Sequence, residues 1–309
     1  MSSILVTPRS LTEAPHPAVE ELRRQGFDIV YSTAGKLPDE TELLRLVPEV
    51  VGWLAGVEPV SAKVIAAAPA LRVISRNGTG VDNLPLADLS QRGIRLCTAD
   101  GANASGVAEL TICLMLTALR HVPFCDAGIK AGEWPRRRGR EIKGRQVGII
   151  GCGAVGRQVA RLAAALGAHI SIHDPLNPEV DVPEDALRRA DLATVLGESE
   201  IITLHCPAPA DGRPLIDQGV LASGRYGAIL INTARASLID ETAVIAALDS
   251  GELSAYATDV FSEEPPQQLT LARHPRVIAT SHIGGFTEES IDRATEIAVK
   301  NLIESLKAS

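Results

Sequence analysis

The sequence predicts an α/β protein made of two doubly wound parallel-sheet domains, and three observations carry that prediction. Short runs rich in Val and Ile alternate with longer helical patterns through all 309 residues. The alternation occurs twice, restarting near Gln146. A glycine-rich turn, Gly151-Cys152-Gly153-Ala154-Val155-Gly156, follows the first apolar run of the second series.

In the first series the strand candidates are Ile4 to Thr7, Asp28 to Ser32, Val50 to Leu54, Leu71 to Ser75 and Ile94 to Cys97. Helical stretches at Ala18 to Arg24, Glu40 to Leu46 and Ser61 to Ala68 lie between them, with Pro and Gly at the breaks. The second series reads Val147 to Ile150, Ile170 to His173, Ile201 to His205, Ala228 to Asn232, Ala255 to Asp259 and Val277 to Ala279. A helix over Ser105 to Leu119 precedes this second sheet and is expected to bridge the two units. A last helix over Glu288 to Leu306 is expected to return to the first. The first domain is therefore discontinuous, residues 1–101 and 286–309, with residues 102–285 inserted into it. Such an insertion places a cleft between the domains, where two-domain enzymes commonly hold ligands.

A chain of this length with 45% hydrophobic residues can fill two cores. Its net charge is −8 with both signs intermixed, so no basic stretch is long enough to track a phosphate backbone, and nucleic acid is not an expected partner. The one basic cluster, Arg136, Arg137, Arg138 and Arg140, reads as a solvated loop. The five cysteines, Cys97, Cys113, Cys125, Cys152 and Cys206, have neither disulfide nor zinc spacing, which fits a reducing cytoplasm and no metal. The apolar opening Ile4-Leu5-Val6 is too short for a signal peptide. Leu110 to Leu119 is about half of the ~20 residues that a bilayer span needs, so it reads as a buried helix and no membrane is expected.

The glycine-rich turn sits between a strand and a helical run, Val155 to Leu166, and that context gives each glycine a task. Gly151 permits the turn, Gly153 lets the backbone approach a pyrophosphate, and Gly156 packs helix against strand. Ala154 and Val155 then open a helix whose free N–H groups and dipole favour negative charge. The next strand ends at His173-Asp174-Pro175, with Asp174 placed to accept from the ribose hydroxyls. Its carboxylate would repel a 2′-phosphate, so the second domain is a Rossmann unit selective for NAD.

Three further strand ends carry reactive side chains: Asn232-Thr233-Ala234-Arg235, Asp259-Val260-Phe261-Ser262-Glu263-Glu264-Pro265 and Ser281-His282-Ile283-Gly284-Gly285. Together with Arg76-Asn77-Gly78-Thr79-Gly80-Val81-Asp82-Asn83 and Val107-Ala108-Glu109-Leu110, they resemble the motifs of the D-isomer-specific 2-hydroxyacid dehydrogenases, especially the short phosphoglycerate dehydrogenase-like members. The likeness runs in family order from about Leu71 to the end of the chain. It implies a flavodoxin-like substrate domain, NAD as cofactor, a homodimer, and a hydride transfer that interconverts a small D-2-hydroxy acid and its 2-oxo acid.

Reducing a 2-oxo acid builds negative charge on the carbonyl oxygen, so such a site needs a cationic clamp and a proton donor. The resemblance gives the clamp to Arg235, whose rigid fork can hold the substrate carboxylate and carbonyl oxygen together. It makes His282 the proton donor in reduction and the base in oxidation, with Glu264 fixing its tautomer and stabilising the imidazolium. Asp259 matches a family acid near the cofactor. Thr79, Cys206, Thr233, Ala234 and Gly285 match positions that touch it. Asn77, Gly78, Thr79 and Gly80 follow a first-domain strand, so their backbone N–H groups can take the substrate carboxylate. His205 is expected near the cofactor, and the other histidines in structural or surface positions.

Two residues depart from the family pattern: Ala236 stands where glycine is usual and Phe286 where a small polar residue is common. A bulkier wall there would narrow or redirect a substrate pocket, leaving 3-phosphoglycerate, glyoxylate, hydroxypyruvate and phosphonate analogues all open. The chain ends soon after its last helix, so no C-terminal regulatory domain and no feedback by serine are expected. Glu264 argues against formate, whose enzymes pair the histidine with glutamine. Phosphite remains an alternative substrate, and an NAD-sensing binding protein like the corepressors of this scaffold is the alternative outside enzymes.

Overall fold

Central strands of a parallel sheet are covered on both faces and must be almost wholly buried, and the central strands of both sheets of this chain meet that demand. The computed structural model describes residues 2–14, 16–209 and 211–308. It divides into two units, one of residues 1–103 and 287–309, the other of residues 104–286.

The first unit runs β1 (Ser3–Val6), α1 (Arg9–Glu13), α2 (Pro17–Arg24), β2 (Asp28–Tyr31), α3 (Glu40–Leu46), β3 (Val50–Ala55), α4 (Ala62–Ala66), β4 (Val73–Arg76), α5 (Leu86–Gln91) and β5 (Arg95–Thr98). All pairings are parallel and the strand order is β2-β1-β3-β4-β5, the flavodoxin-like arrangement. Period-two alternation sends Leu5, Trp53 and Ile74 to one core. It sends Ile4, Val6, Leu54 and Val73 to the other face, where Ala298, Val299, Leu302 and Leu306 of the C-terminal helix (Glu288–Lys307) complete the packing. That helix returns to this unit because its apolar stripe matches the open face of the sheet. Its N-cap is Thr287, whose hydroxyl accepts from Ser290 N–H at 3.1 Å.

The second unit runs α6 (Ala104–Arg120), α7 (Val122–Lys130), β6 (Gln146–Ile150), α8 (Ala154–Ala165), β7 (His169–His173), β8 (Leu187–Arg189), α9 (Leu192–Glu198), β9 (Ile201–Leu204), α10 (Gln218–Ser223), β10 (Ala228–Asn232), α11 (Glu241–Ser250), β11 (Leu253–Thr258) and β12 (Val277–Ala279). Its all-parallel sheet has the order β12-β11-β10-β9-β6-β7-β8. The order reverses at β6, so the crevice for a ligand opens at the carboxyl ends of β6 and β9. Met115 and Leu119 of α6 join Val159 and Ala163 of α8 over Val147 and Ile149. On the other face, Ile150, Leu204 and Leu230 pack under Val195, Val244 and Leu248.

Helix α6 therefore lies wholly in the second unit, where it packs on α8, β10 and β11. Among the described residues no single helix is long and apolar enough to cross a membrane. Arg140 corrects the reading of its neighbourhood as a merely solvated loop. Burial lowers its pKa, and its Nη2 donates to Ser254 Oγ at 3.2 Å. Arg137 lies over the Phe124 ring, 4.5 Å from its centre.

Candidate active site

At the switch point of the second sheet, α8 begins without a side-chain cap, its N-cap being Gly153. Helices α9, α10 and α11 are closed by Asp191, Asp217 and Asp240, which accept from the backbone two or three residues on. The N–H groups opening α8, at Ala154 and Val155, are thus left to a ligand, and the helix dipole makes that ligand an anion. A side chain at Gly156 would meet Gly151 O at 2.2 Å, whereas one at Gly153 would meet nothing within 4 Å. The third glycine lets α8 close on the turn, and the middle one leaves open space for a pyrophosphate. Gly151, at φ 86°, lies so close to the end of β9 that a Cβ there would stand 2.5 Å from Cys206 N.

Asp174, just past β7, accepts from Cys152 N–H at 2.6 Å through Oδ2 and from Leu176 N–H at 2.8 Å through Oδ1. It is thereby held beside the turn, in reach of a ribose bound there. Burial, and then the Asp174 charge, push the Cys152 thiol up to about 11, and burial likewise raises Cys206. Both thiols stay protonated at neutral pH. His205 accepts or donates at Nε2 with Thr203 Oγ1 at 2.9 Å, and desolvation pushes its imidazole down to about 3. It is neutral, and its backbone adjoins Gly151. These residues fit a dinucleotide: a free helix N-terminus, a clear face at Gly153 and a carboxylate at the next strand end.

Two strands over, β10 ends in Asn232, fully buried, whose side chain closes the following turn. Nδ2 donates to Arg235 O at 2.8 Å and Oδ1 accepts from Ala234 N–H at 3.1 Å. Thr233 is fixed by a 2.9 Å bond to Thr111 Oγ1, and Thr111 donates to Val107 O at 2.8 Å. Arg235 follows, half-buried, with Nη1 donating to Ala234 O at 2.8 Å.

The adjacent strand β11 leads to Asp259, which is 1% exposed and donates its backbone N–H to Asn232 O at 3.0 Å. Its Oδ1 accepts from Thr280 Oγ1 at 2.7 Å and Ile283 N–H at 2.8 Å, while Oδ2 accepts from Gly284 N–H at 2.8 Å. These bonds bracket His282, whose φ of 54° is a left-handed conformation that costs a histidine roughly 1–2 kcal/mol. The histidine meets Glu264 directly: Nδ1 and Oε2 are 2.7 Å apart, and Oε1 of Glu264 accepts from Phe261 N–H at 3.1 Å. The imidazole is 53% exposed and the carboxylate 38%, so the Nε2 edge has solvent access.

The second unit thus gathers Arg235, Asp259, Glu264, His282, Thr233, Ala234 and Gly285 on the ends of β10, β11 and β12. Asn77, Gly78, Thr79 and Gly80 belong to the first unit, half-buried after β4. Sequence reasoning passed over Thr111 and Thr280, whose hydroxyls brace Thr233 and Asp259. A lone threonine carries no spacing signal, and only the fold shows what it meets. Among the described residues no cluster of metal-binding side chains occurs.

The chain matches the family model described as "D-isomer specific 2-hydroxyacid dehydrogenase, NAD binding domain" over residues 112–284. It is 35% identical over 274 residues to a hydroxypyruvate reductase of Thermotoga maritima, covering 87% of this chain and 89% of that protein. It is 33% identical over 294 residues to a D-3-phosphoglycerate dehydrogenase of Archaeoglobus fulgidus, covering 94% of this chain but 55% of the longer relative. Among solved structures, the TT0316 protein from Thermus thermophilus superposes with a TM-score of 0.87 at 31% identity, over 99% of this chain and 97% of that one. A family match over more than half of the chain, with relatives above 30% identity aligned along most of it, makes this chain a member of the D-isomer specific 2-hydroxyacid dehydrogenase family and an NAD-dependent oxidoreductase.

Proposed function

We propose that the chain reduces a small 2-oxo acid to the D-2-hydroxy acid, and runs the reverse oxidation, with Arg235, Glu264 and His282 as its catalytic residues. One observation carries the reading: the 2.7 Å bond from His282 Nδ1 to Glu264 Oε2, which leaves Nε2 to the substrate. Bound NADH supplies the hydride. As negative charge builds on the carbonyl oxygen, the His282 Nε2–H donates its proton there, and Glu264 keeps the remaining proton on Nδ1. In oxidation the neutral Nε2 takes the hydroxyl proton. The Arg235 guanidinium holds the substrate carboxylate and steadies the oxyanion, and the family resemblance also assigns the backbone of Asn77, Gly78, Thr79 and Gly80 to substrate binding. That domain is residues 1–101 and 286–309, around an NAD-binding domain of residues 102–285. Asp174 selects NAD, and Thr79, Cys206, Thr233, Ala234, Asp259 and Gly285 line its site.

Hydroxypyruvate, glyoxylate, 3-phosphohydroxypyruvate and phosphonate analogues are the substrates to test, by the loss of NADH absorbance. His282→Ala should lower turnover by about 100 to 10,000-fold, and unchanged turnover would remove His282 from the chemistry.

The working form is a cytoplasmic homodimer. Helix α7 has no buried residue, and Val122, Phe124, Ile129 and the nearby Trp134 are 50%, 44%, 51% and 81% exposed. An apolar face of that kind favours a second copy of the same chain. Trp134→Glu should convert the dimer to monomer in light scattering, and a monomeric wild type would end this part of the reading.

A further inference from the structure

Strand β10 reads Ala-Ile-Leu-Ile and is buried at every position, so an apolar residue would ordinarily finish it. It ends instead in Asn232, which is 0% exposed. Burying a carboxamide is costly unless both of its ends find partners, and here both partners lie in the turn that follows. Oδ1 accepts from Ala234 N–H at 3.1 Å, and Nδ2 donates to Arg235 O at 2.8 Å. A leucine of similar size would offer neither group, and an ionised aspartate has no donor.

These two bonds bear on the arginine through its own backbone. Arg235 O also accepts from Leu238 N–H at 3.2 Å, where the single 3-10 turn Ala236–Leu238 follows, and Leu238 is itself fully buried. The guanidinium in turn donates from Nη1 to Ala234 O at 2.8 Å. Asn232 therefore holds the N–H of the same residue whose carbonyl carries the guanidinium. An arginine side chain is long and rich in rotamers, so its fork keeps one direction only where the backbone beneath it and a contact near its tip are both fixed. The main chain of Asn232 serves the neighbouring strand end as well. Its O accepts from Asp259 N–H at 3.0 Å, which registers the turn bearing the arginine against the segment leading to Glu264.

We propose that Asn232 is a positioning residue for Arg235: its buried carboxamide fixes the turn from Thr233 to Arg235, and so sets where the guanidinium fork points. This rests on the reading of Arg235 as the substrate clamp, so the test needs one readout independent of activity. Asn232→Leu keeps the volume and removes both bonds. In hydrogen-exchange mass spectrometry, the peptide spanning residues 233–239 should exchange at least about tenfold faster while β9 stays protected. In steady-state kinetics, kcat/KM for the best 2-oxo acid should fall about 100-fold. A double-mutant cycle with Arg235→Lys then separates positioning from a merely structural role. A residue that acts through the fork has little left to disturb once the fork is gone, so Asn232→Leu in that background should lower kcat/KM by less than about threefold further.

Unchanged exchange of the turn peptide overturns the proposal whatever the activity. Faster exchange with an unchanged kcat/KM overturns its link to the clamp, and so does a full further loss of about 100-fold in the Arg235→Lys background, the additive result expected of independent sites. A wild type that reduces no 2-oxo acid, or an Arg235→Lys variant as active as the wild type, condemns the functional reading instead, and exchange of the peptide still decides whether Asn232 holds the turn. Should Asn232→Leu fail to fold, Asn232→Ala removes the same two bonds without added bulk and must give the same three results.

Discussion

Asp259→Asn is the substitution whose cost can be worked most directly from the structure. The carboxylate is 1% exposed and accepts three hydrogen bonds, from Thr280 Oγ1, Ile283 N–H and Gly284 N–H. An amide has one acceptor oxygen. With that oxygen facing Thr280 and Ile283, the amide nitrogen confronts Gly284 N–H, donor against donor. Flipped, it confronts Ile283 N–H, and only the threonine hydroxyl can turn to accommodate it. Either way one buried backbone donor in the His282 loop is left without an acceptor, at about 1–3 kcal/mol, and a charge-assisted bond of about 1.5–3 kcal/mol is lost. The total of about 3–5 kcal/mol corresponds to a fall in Tm of roughly 6–20 °C for a unit of this size. Released from its left-handed conformation, His282 moves off line, and a displacement near 1 Å lowers turnover by about 100-fold. Calorimetry with steady-state NADH oxidation measures both effects. A variant that melts within about 2 °C of the wild type and turns over normally would show that Asp259 does not hold this loop.

Other perturbations test separate parts of the site. Gly156→Ala forces a Cβ to within 2.2 Å of Gly151 O, a backbone atom that cannot swing away, so NADH affinity by fluorescence titration should fall at least about tenfold. Arg235→Lys keeps the charge but loses the fork, and kcat/KM for the 2-oxo acid should drop by about 100-fold with NADH binding intact. His205 has its pKa depressed to about 3 by burial, so its contribution to stability is present above the unfolded value near 6.5 and is lost as pH falls from there toward 3. Denaturant unfolding of the wild type and His205→Gln should therefore show a stability difference that shifts against the wild type between pH 7 and pH 4, and a difference flat with pH would refute the assignment.

Most of both sheets was legible because strands covered on two faces leave a plain apolar signature, as in Ala228–Asn232 and Ile201–Leu204. The first-domain strand read as starting at Leu71 begins at Val73, since Leu71 fills the core from the preceding turn and Arg72 only starts the ladder toward Val51. Strand β8, Leu187-Arg188-Arg189, escaped because an edge strand with two exposed arginines has no apolar pattern. Helix α7 was hidden by Pro123, which sits at its first turn where proline is permitted yet reads as a break, and by the lack of any buried face. At the site, the His282 and Glu264 pairing was legible from motif order. The grip of Asp259 on the His282 loop was not, because it joins residues more than twenty apart through backbone donors that any sequence would supply. The burial of Glu58, which is 0% exposed, escaped for a simpler reason: a glutamate in a Val-Glu-Pro loop ordinarily faces water.

The buried carboxylate of Asp259 does the work that the exposed pair cannot do for itself. An imidazole and a carboxylate as open to solvent as His282 and Glu264 gain little fixed geometry from each other, because water competes for both and the Coulomb term is screened. Directionality must come from beneath, where the dielectric is low and a hydrogen bond resists exchange with solvent. Asp259 provides it under the histidine, by bonds to the loop backbone rather than to the ring, so the ring remains free to change protonation state. The charge that fixes the geometry is thereby kept away from the atom that the proposed reaction protonates and deprotonates. On the proposed chemistry, a proton moves at His282 Nε2 without disturbing the groups that hold the histidine in place.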